Sequence, residues 1–167
     1  MKFGRLKQHG ATATTPVGEL TVRRDAPSTG LMAVLPGSNT TERWYFELDG
    51  RPLADLPRFG FGDAYFRPMV HRSGVGTFEG AELRIDGNRR MRAAERFVRL
   101  STGGRTVRFR GRGALSAELV EEGRVLGRAR EGWELAEPDP LRVLAVAVFH
   151  WARLDSYLDS PLDLLLP

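Results

Sequence analysis

Residues 139–154 read DPLRVLAVAVFHWARL, and this run is apolar at almost every position. Asp139 is a favourable helix N-cap, and Pro140 suits the first helical position because its missing N–H would have no partner there. We therefore predict a helix over about residues 140–154. Its few charged or polar side chains are Arg142, His150 and Arg153.

The polar side of this helix is narrow. At 100° per residue, the three polar side chains fall within an arc of about 80°. Because the rest of the circumference is apolar, we expect a sheet to enclose the helix, with Arg142 and Arg153 emerging near its two ends. About 15 residues at 1.5 Å rise span about 22 Å, which is short of the ~30 Å hydrocarbon layer of a membrane. We predict no transmembrane segment.

The sequence before the helix alternates between apolar and polar residues, which indicates half-buried strands. Residues 81–86 alternate in this way up to Gly87–Asn88, where we predict a tight turn. Residues 96–100 and 106–110 flank Ser101–Gly104, whose paired glycines predict a hairpin. Further strands are predicted at residues 19–23, 43–48, 115–119, 124–130 and 133–135.

Two stretches are less regular. Residues 51–72 interrupt their aromatic residues with Pro and Gly, and we expect a long loop plus one strand there. The glycines within residues 59–62 and 74–76 are typical of turns. Because six or more strands at about ten-residue spacing favour a barrel or sandwich, the predicted fold class is mainly β. We expect one domain over residues 1–167, an antiparallel β-barrel, closed or nearly closed, with a buried hydrophobic C-terminal α-helix.

Composition excludes several kinds of protein. The absence of cysteine excludes a disulfide framework, a thiolate metal site and a cysteine nucleophile. The basic residues near the N-terminus are followed by no long apolar run, so no secretory signal is predicted. We therefore expect a cytoplasmic protein.

Charge is distributed unevenly along the chain. Residues 1–83 carry a net charge of +1, residues 84–130 carry +8 and residues 131–167 carry −5. The basic middle predicts either an anionic partner or masking by the acidic end. The basic residues are 23 Arg and 2 Lys, which suits bidentate recognition of phosphate and equally fits the codon bias of a GC-rich genome.

A candidate anion-binding face lies in this basic middle. Alternation puts every second residue of 108–112 on one face of a strand, with Val107 and Phe109 on the other. Two more arginines lie across the predicted hairpin. Guanidinium groups in such a row suit phosphates, whereas the alternative is a solvated outer face that discourages edge-to-edge aggregation. The candidate anion-binding residues are Arg96, Arg99, Arg108, Arg110 and Arg112.

Motifs for catalysis or metal binding are missing from the chain. There is no P-loop, nucleophile elbow or dinucleotide-binding loop. His9 and His71 lie far apart with no carboxylate at metal-ligand spacing, and His150 is expected to be neutral inside the helix. The spacing of Asp63 and Glu79 does not mark them as a catalytic pair, because surface acids are far commoner. We therefore predict no catalytic residue, no metal and no cofactor.

The order of features from Arg105 to Leu154 resembles the end of the tubby-like superfamily, which includes the LURP-one-related proteins and the phospholipid scramblases. These features are an Arg-rich strand, a row ending Glu-Glu-Gly, the run Arg-Val-Leu-Gly-Arg, a Trp strand, Asp-Pro and an apolar helix. The resemblance implies a β-barrel threaded by a hydrophobic C-terminal helix, and for some members a membrane-associated or phosphoinositide-binding role. The chain lacks the Cys that scramblases use for lipid anchoring, and no lipid-site motif of the family matches its residues.

These features predict a non-enzymatic binding module that contacts anionic phospholipid head groups, or another phosphate-bearing partner, through its Arg-rich strand face. Such a protein would be cytoplasmic and peripheral to the membrane. The alternatives are a protein-interaction or structural domain, a nucleic-acid binder, and an enzyme whose site is invisible in sequence. Nucleic-acid binding favours exposed aromatic side chains for stacking, and Phe97 and Phe109 are predicted to lie in the core. The oligomeric state is left open.

Overall fold

The computed structural model of the chain describes residues 1–7, 9–25, 42–60, 74–88, 92, 95–111, 116–129 and 131–158. In this part of the chain, eleven strands form one antiparallel sheet in which neighbours in the chain are neighbours in the sheet. A helix, α1, and a short 3₁₀ helix follow the last strand. The elements are β1 (Gly10–Thr15), β2 (Gly18–Asp25), β3 (Glu42–Leu48), β4 (Arg51–Gly60), β5 (Gly74–Phe78), β6 (Ala81–Asn88), β7 (Phe97–Thr102), β8 (Arg105–Gly111), β9 (Ala117–Glu121), β10 (Arg124–Ala129), β11 (Trp133–Leu135), α1 (Pro140–Trp151) and the 3₁₀ helix (Leu154–Tyr157).

Helix α1 is buried on almost every side. Nine of its twelve residues are buried. Phe149 stacks on Phe109 of β8 with 4.3 Å between the ring centroids, and Trp151 stacks on Phe46 of β3 at 6.3 Å. Because β3 and β8 lie five strands apart in the sheet, the sheet curves around the helix. The prediction of a buried hydrophobic helix is confirmed.

The helix begins as predicted and ends earlier. The Asp139 side chain accepts a hydrogen bond from the backbone N–H of Arg142, which caps the first turn. The helix ends at Trp151 because Arg153 takes a left-handed conformation, with φ of 54°. This turn directs Leu154, which is fully buried, into the core. The prediction that the helix continues to residue 154 is therefore wrong at its end.

The predicted hairpin in the basic middle of the chain is confirmed. Strands β7 and β8 pair through Gly103–Gly104, which both have positive φ, at 53° and 80°. Glycine adopts these angles without steric cost, as the two-residue turn requires. The other strands predicted from alternation, from residue 19 onward to residue 135, are also present.

Three predicted turns are wholly or partly strand. The one strand expected within residues 51–72 is β4, which includes Gly60 of the turn predicted at residues 59–62, and residues 61–72 lie outside the described residues. Gly87–Asn88 continues β6 and pairs with the start of β7, so the chain turns only after Asn88. Gly74 and Gly76 belong to β5. A Cβ atom at Gly76 would lie 2.4 Å from the carbonyl oxygen of Asp55, so glycine is needed there for the close approach of β4.

The N-terminal segment, residues 1–7, lies between the two outermost strands. Met1 exchanges two backbone hydrogen bonds with Trp133 of β11. The indole N–H of Trp151 donates to the carbonyl oxygen of Gly4 at 3.0 Å, and the far end of the segment bonds to the backbone at the start of β1. Among the described residues no strand pairing joins β1 to β11, so hydrogen bonds do not close the sheet and the predicted barrel closure is not confirmed.

Candidate anion-binding face

The pleat of β7 and β8 separates a buried face from a solvent face. Val98 and Leu100 of β7, and Val107 and Phe109 of β8, are fully buried against the core. Because successive side chains in a strand alternate between faces, the residues between them lie on the outer surface. The prediction that an outer face of arginines lies opposite Val107 and Phe109 is confirmed within the described residues.

Two arginines on this surface share an aromatic ring. Arg99 of β7 and Arg108 of β8 are direct partners across the strands. Their guanidinium carbons lie 5.4 Å and 4.8 Å from the ring centroid of Phe97, within the range of a cation–π interaction. Phe97 was predicted to lie in the core, but the alternation of β7 puts its half-buried ring on the outer surface. We call Phe97, Arg99, Arg108 and Arg110 the arginine face.

Carboxylates from the adjoining strands bind two of these arginines. Nε and Nη2 of Arg99 donate to Asp86 of β6, at 3.1 Å and 3.0 Å. Nε and Nη2 of Arg110 donate to one oxygen of Glu118 of β9, at 3.1 Å and 2.9 Å. Arg128 of β10 lies 3.4 Å from the other oxygen of Glu118. The face therefore carries its own counter-charges.

Of the two remaining predicted residues, only Arg96 is described, and it does not join this face in the structure. Arg96 comes just before β7, is buried, and donates to the carbonyl oxygen of Leu158 at 3.2 Å. It falls on the inner side of the sheet because it is an odd number of residues from Arg99. Arg112 lies outside the described residues.

A second charged group, which the sequence interpretation missed, lies at the start of α1. It consists of two arginines and two carboxylates, and we call it the helix-end cluster. Arg105 donates to Glu121 at 2.8 Å and to Asp139 at 2.7 Å. Arg142 donates to Glu121 at 2.7 Å. The cluster therefore ties the first turn of the helix to β8 and β9.

The two carboxylates of this cluster have shifted acidities. Burial alone raises the pKa of Glu121, but hydrogen bonds from Arg105 and Arg142 outweigh burial and hold this pKa below its ordinary value. Burial likewise raises the pKa of Asp139, and the backbone N–H of Arg142 together with the Arg105 guanidinium bring it below the ordinary value. Both side chains therefore prefer the ionised form in the folded protein.

Ion pairs in and beside the helix-end cluster show that the acidic end of the chain masks part of its basic middle. Arg105 and Arg124 come from the basic middle of the chain. Their partners Asp139, at 2.7 Å, and Glu137, at 2.6 Å, come from its acidic end. Because the two arginines and two carboxylates of the cluster balance one another, this site has a structural role and no surplus charge for a ligand.

A sequence signal for this cluster existed in the strand alternation. Ala117 and Leu119 occupy inward positions of β9, and Glu121 continues the same row two residues further. A carboxylate at an inward position needs a charged or hydrogen-bonding partner. Sequence alone does not show that Arg105 and Arg142, which are far apart in the chain, supply it.

Another buried ion pair joins β2 and β3. Arg24 lies 2.6 Å from Glu42, and both side chains are almost fully buried. Glu42 also accepts the indole N–H of Trp44 at 2.8 Å, and the guanidinium carbon of Arg24 lies 5.7 Å from the Trp44 ring centroid. These contacts join neighbouring strands and give the pair a structural role.

The histidine and carboxylate candidates lie apart from both charged groups. His150 is exposed on α1 rather than buried, and its ring centroid lies 5.4 Å from that of Phe3. Partial burial lowers its pKa, although Asp155 and a backbone hydrogen bond with Phe3 act in the opposite direction. Glu79 is exposed in a turn, whereas Asp63 and His71 lie outside the described residues. In the described ranges no three His, Cys, Asp or Glu side chains form a group that could hold a metal ion.

Comparison with known proteins finds no matching family model, no matching curated protein and no matching solved structure. The resemblance to the tubby-like superfamily therefore stays a prediction. In the described part of the chain, no helix has the length and apolar character needed to cross a membrane.

Proposed function

We propose that this chain is a non-enzymatic binding module whose arginine face contacts anionic phospholipid head groups. The observation that carries the proposal is the pair Arg99 and Arg108, which are direct partners across the strands and each lie over the ring of Phe97. Like charges directly opposite each other on a sheet repel. An anion that binds beside Arg99 and Arg108, in addition to Asp86, would therefore relieve the repulsion. Arg110, at the diagonal position about 7–8 Å away, extends the surface.

The exposure of these side chains supports a surface contact rather than a pocket. The side chains of Arg99 and Arg110 are 45% and 51% exposed. An anionic membrane attracts such residues by about 1 kcal/mol for each basic side chain near its surface. The protein would then be cytoplasmic and would bind the membrane from its periphery.

The same proposal includes the complete shape of the domain. We propose that the curved sheet and the N-terminal segment together form a nearly closed barrel around α1, as the tubby-like resemblance implies. The supporting observation is that Met1 bonds to Trp133 at one outer strand while Lys7 bonds to Gly10 at the other. In such a barrel the arginine face would be part of a rigid outer wall.

The test is flotation with phosphatidylcholine vesicles, either pure or containing both phosphatidylserine and phosphatidate, at low and high salt. We compare the wild type with Arg99→Gln/Arg110→Gln, which keeps the apolar stems and one donor on each side chain. Loss of two charges at a membrane surface is expected to weaken binding about thirtyfold. Binding should also weaken as salt increases.

A matched control tests whether the position of the charges matters. Arg23 and Arg43 are exposed arginines of β2 and β3, and each pairs with one carboxylate of a neighbouring strand, Glu47 or Asp55. Arg23→Gln/Arg43→Gln therefore removes the same charge from another part of the sheet. Equal weakening by both variants, or no binding of the wild type to anionic vesicles at low salt, would remove the arginine face as the site.

Nucleic-acid binding is a second candidate because Phe97 lies on the outer surface, where a base could stack. Single-stranded oligonucleotide added to the flotation assay separates the two functions. Release of the protein from anionic vesicles by oligonucleotide, together with direct oligonucleotide binding that Arg99→Gln/Arg110→Gln weakens, would favour nucleic acid. Vesicle binding that persists in excess oligonucleotide would favour lipid.

A further inference from the structure

We infer that Asp86 and Glu118 are resident competitors on the arginine face, so that doubly charged phosphate monoesters bind there and singly charged anions are excluded. This inference rests on the proposed function. It specifies the class of ligand that the arginine face binds and the two carboxylates that restrict binding. Each carboxylate occupies the part of a guanidinium group that a bound anion would use.

The hydrogen-bond geometry shows this occupation. Arg99 commits Nε and Nη2 to Asp86, and Arg110 commits Nε and Nη2 to Glu118. These paired N–H groups are the fork that recognises carboxylate and phosphate oxygens. Among the described residues, Nη1 of these two arginines makes no hydrogen bond, which leaves its two N–H groups as the first contact for an incoming ligand.

The two sides of each pair differ in their access to water. The carboxylate side chains of Asp86 and Glu118 are 17% and 7% exposed, whereas the side chains of Arg99 and Arg110 are about half exposed. Solvent therefore reaches the guanidinium groups while the sheet holds the carboxylates behind them. A ligand can approach without any movement of the strands.

The charge of an incoming ligand then determines whether it can compete with the resident carboxylate for the guanidinium group. A tethered carboxylate is present at high effective concentration, and a free carboxylate or phosphodiester brings the same single charge. Such a ligand gains little by replacing the resident group. A phosphate monoester carries a charge of about −1.5 to −2 and three acceptor oxygens, so it gains more than the resident carboxylate does from binding the fork. Because ion pairs at partly exposed sites are weak, the doubly charged ligand can displace Asp86 from Arg99. Glu118 is more buried, and it retains Arg128 at 3.4 Å when a ligand takes its place on Arg110.

The experiment uses two kinds of vesicle, phosphatidylcholine with phosphatidylserine and phosphatidylcholine with phosphatidate, prepared at equal surface charge. The wild type should bind the phosphatidate vesicles and bind the phosphatidylserine vesicles weakly. Asp86→Asn/Glu118→Gln should increase binding to phosphatidylserine about thirtyfold and reduce the preference for phosphatidate. Asp86→Asn alone changes only the less buried carboxylate and should increase binding to phosphatidylserine about fivefold. This single variant keeps the test valid if Glu118→Gln impairs folding.

A control variant separates local competition from net charge. Glu47→Gln/Asp55→Asn removes the carboxylate partners of Arg23 and Arg43 and raises the net charge equally. It should leave the preference for phosphatidate unchanged. Inorganic phosphate, added at constant ionic strength, should compete with the vesicles if the face recognises the phosphate group itself. A lack of competition would assign the preference to the lipid surface and overturn the inference.

The outcomes also separate this inference from the proposed function. Equal binding of the wild type to both vesicles, unchanged by Asp86→Asn/Glu118→Gln, would overturn the resident-competitor inference and leave lipid binding in place. Absence of binding to any anionic vesicle by every variant would overturn both. A gain on phosphatidylserine that Glu47→Gln/Asp55→Asn reproduces would also overturn the inference, because net charge would then suffice.

Discussion

The arginine face and the helix-end cluster use the same chemistry in different surroundings. In each, arginines of β7 and β8 or of the helix bind carboxylates on neighbouring elements at hydrogen-bond distance. The carboxylates Glu121 and Glu118 are similarly buried, at 6% and 7% exposed, and Arg105 is 42% exposed. The groups differ in their second arginine, because the side chain of Arg142 is only 13% exposed whereas those of Arg99 and Arg110 are about half exposed. Access to water therefore makes one group a structural tie and the other an exchangeable surface.

The largest expected difference between the two groups is in stability. Glu121→Gln removes the carboxylate that both Arg105 and Arg142 bind. Because removing one partner of a buried ion pair leaves the other partner's charge uncompensated, this substitution should lower the free energy of unfolding by about 3 kcal/mol. Asp86→Asn breaks only a partly exposed pair and should cost less than about 1 kcal/mol. Urea unfolding, followed by tryptophan fluorescence, measures both. Equal costs would mean that burial does not distinguish the two groups.

A smaller effect is expected from the helix cap. Asp139→Ala removes both the N-cap hydrogen bond to Arg142 and the contact with Arg105, and it should lower the free energy of unfolding by about 1–2 kcal/mol. Asp139→Asn retains the cap and should cost less, because asparagine is an equally good N-cap residue. If both substitutions cost the same, the ion pair with Arg105 would dominate over the cap.

A fall in pH should reduce stability through the carboxylates of the helix-end cluster, and this effect should be smaller than those of the substitutions above. The pKa values of Glu121 and Asp139 are lower in the folded protein than in the unfolded chain. Their contribution is therefore fully present above the unfolded values, near pH 4, and is lost as pH falls through the folded values. Thermal unfolding between about pH 5 and 3 should show a decline in midpoint that is shallower for Glu121→Gln/Asp139→Asn. Parallel curves for the variant and the wild type would assign the decline to other carboxylates.

The smallest expected effect concerns salt and stability. Buried pairs are screened much less than exposed ones, so a rise in salt from low to about physiological concentration should change the free energy of unfolding little. The same rise should clearly weaken vesicle binding through the arginine face. A strong loss of stability with salt would mean that water and ions reach the helix-end cluster.

Local patterns predicted much of the fold. The alternation of residues 81–86, the paired glycines at 103 and 104, and the apolar run after Asp139 each report on contacts close in the chain, and the structure contains the corresponding elements. The strand continuing through Gly87 was missed because composition indicates where a turn is easy, whereas pairing with β7 determines where the strand ends.

The candidate site was predictable only in part, for a related reason. Alternation correctly put Arg108 and Arg110 opposite Val107, because that separation is a local property of a strand. The inner position of Arg96 and the outer position of Phe97 follow from the same alternation, because they lie three and two residues from Arg99, but the sequence interpretation did not apply it to them. The partners of Glu121 lie 16 and 21 residues away in the chain. The pairing of β8 with β9 brings Arg105 to Glu121, and the packing of α1 against the sheet brings Arg142.

The chain-order arrangement of the strands also has a consequence for how the protein folds. Each strand pairs with the strand just before or after it, so the search for partners is local and contact order within the sheet is low. Helix α1 follows all the described strands, and residues are added during synthesis at about 5–20 per second. After β11 has been synthesised, the apolar inner surface of the sheet is therefore expected to stay uncovered for about a second or longer, until α1 has also been synthesised. During that interval the sheet would expose the kind of apolar surface that chaperones bind, and we expect the insertion of α1 to be a late step of folding.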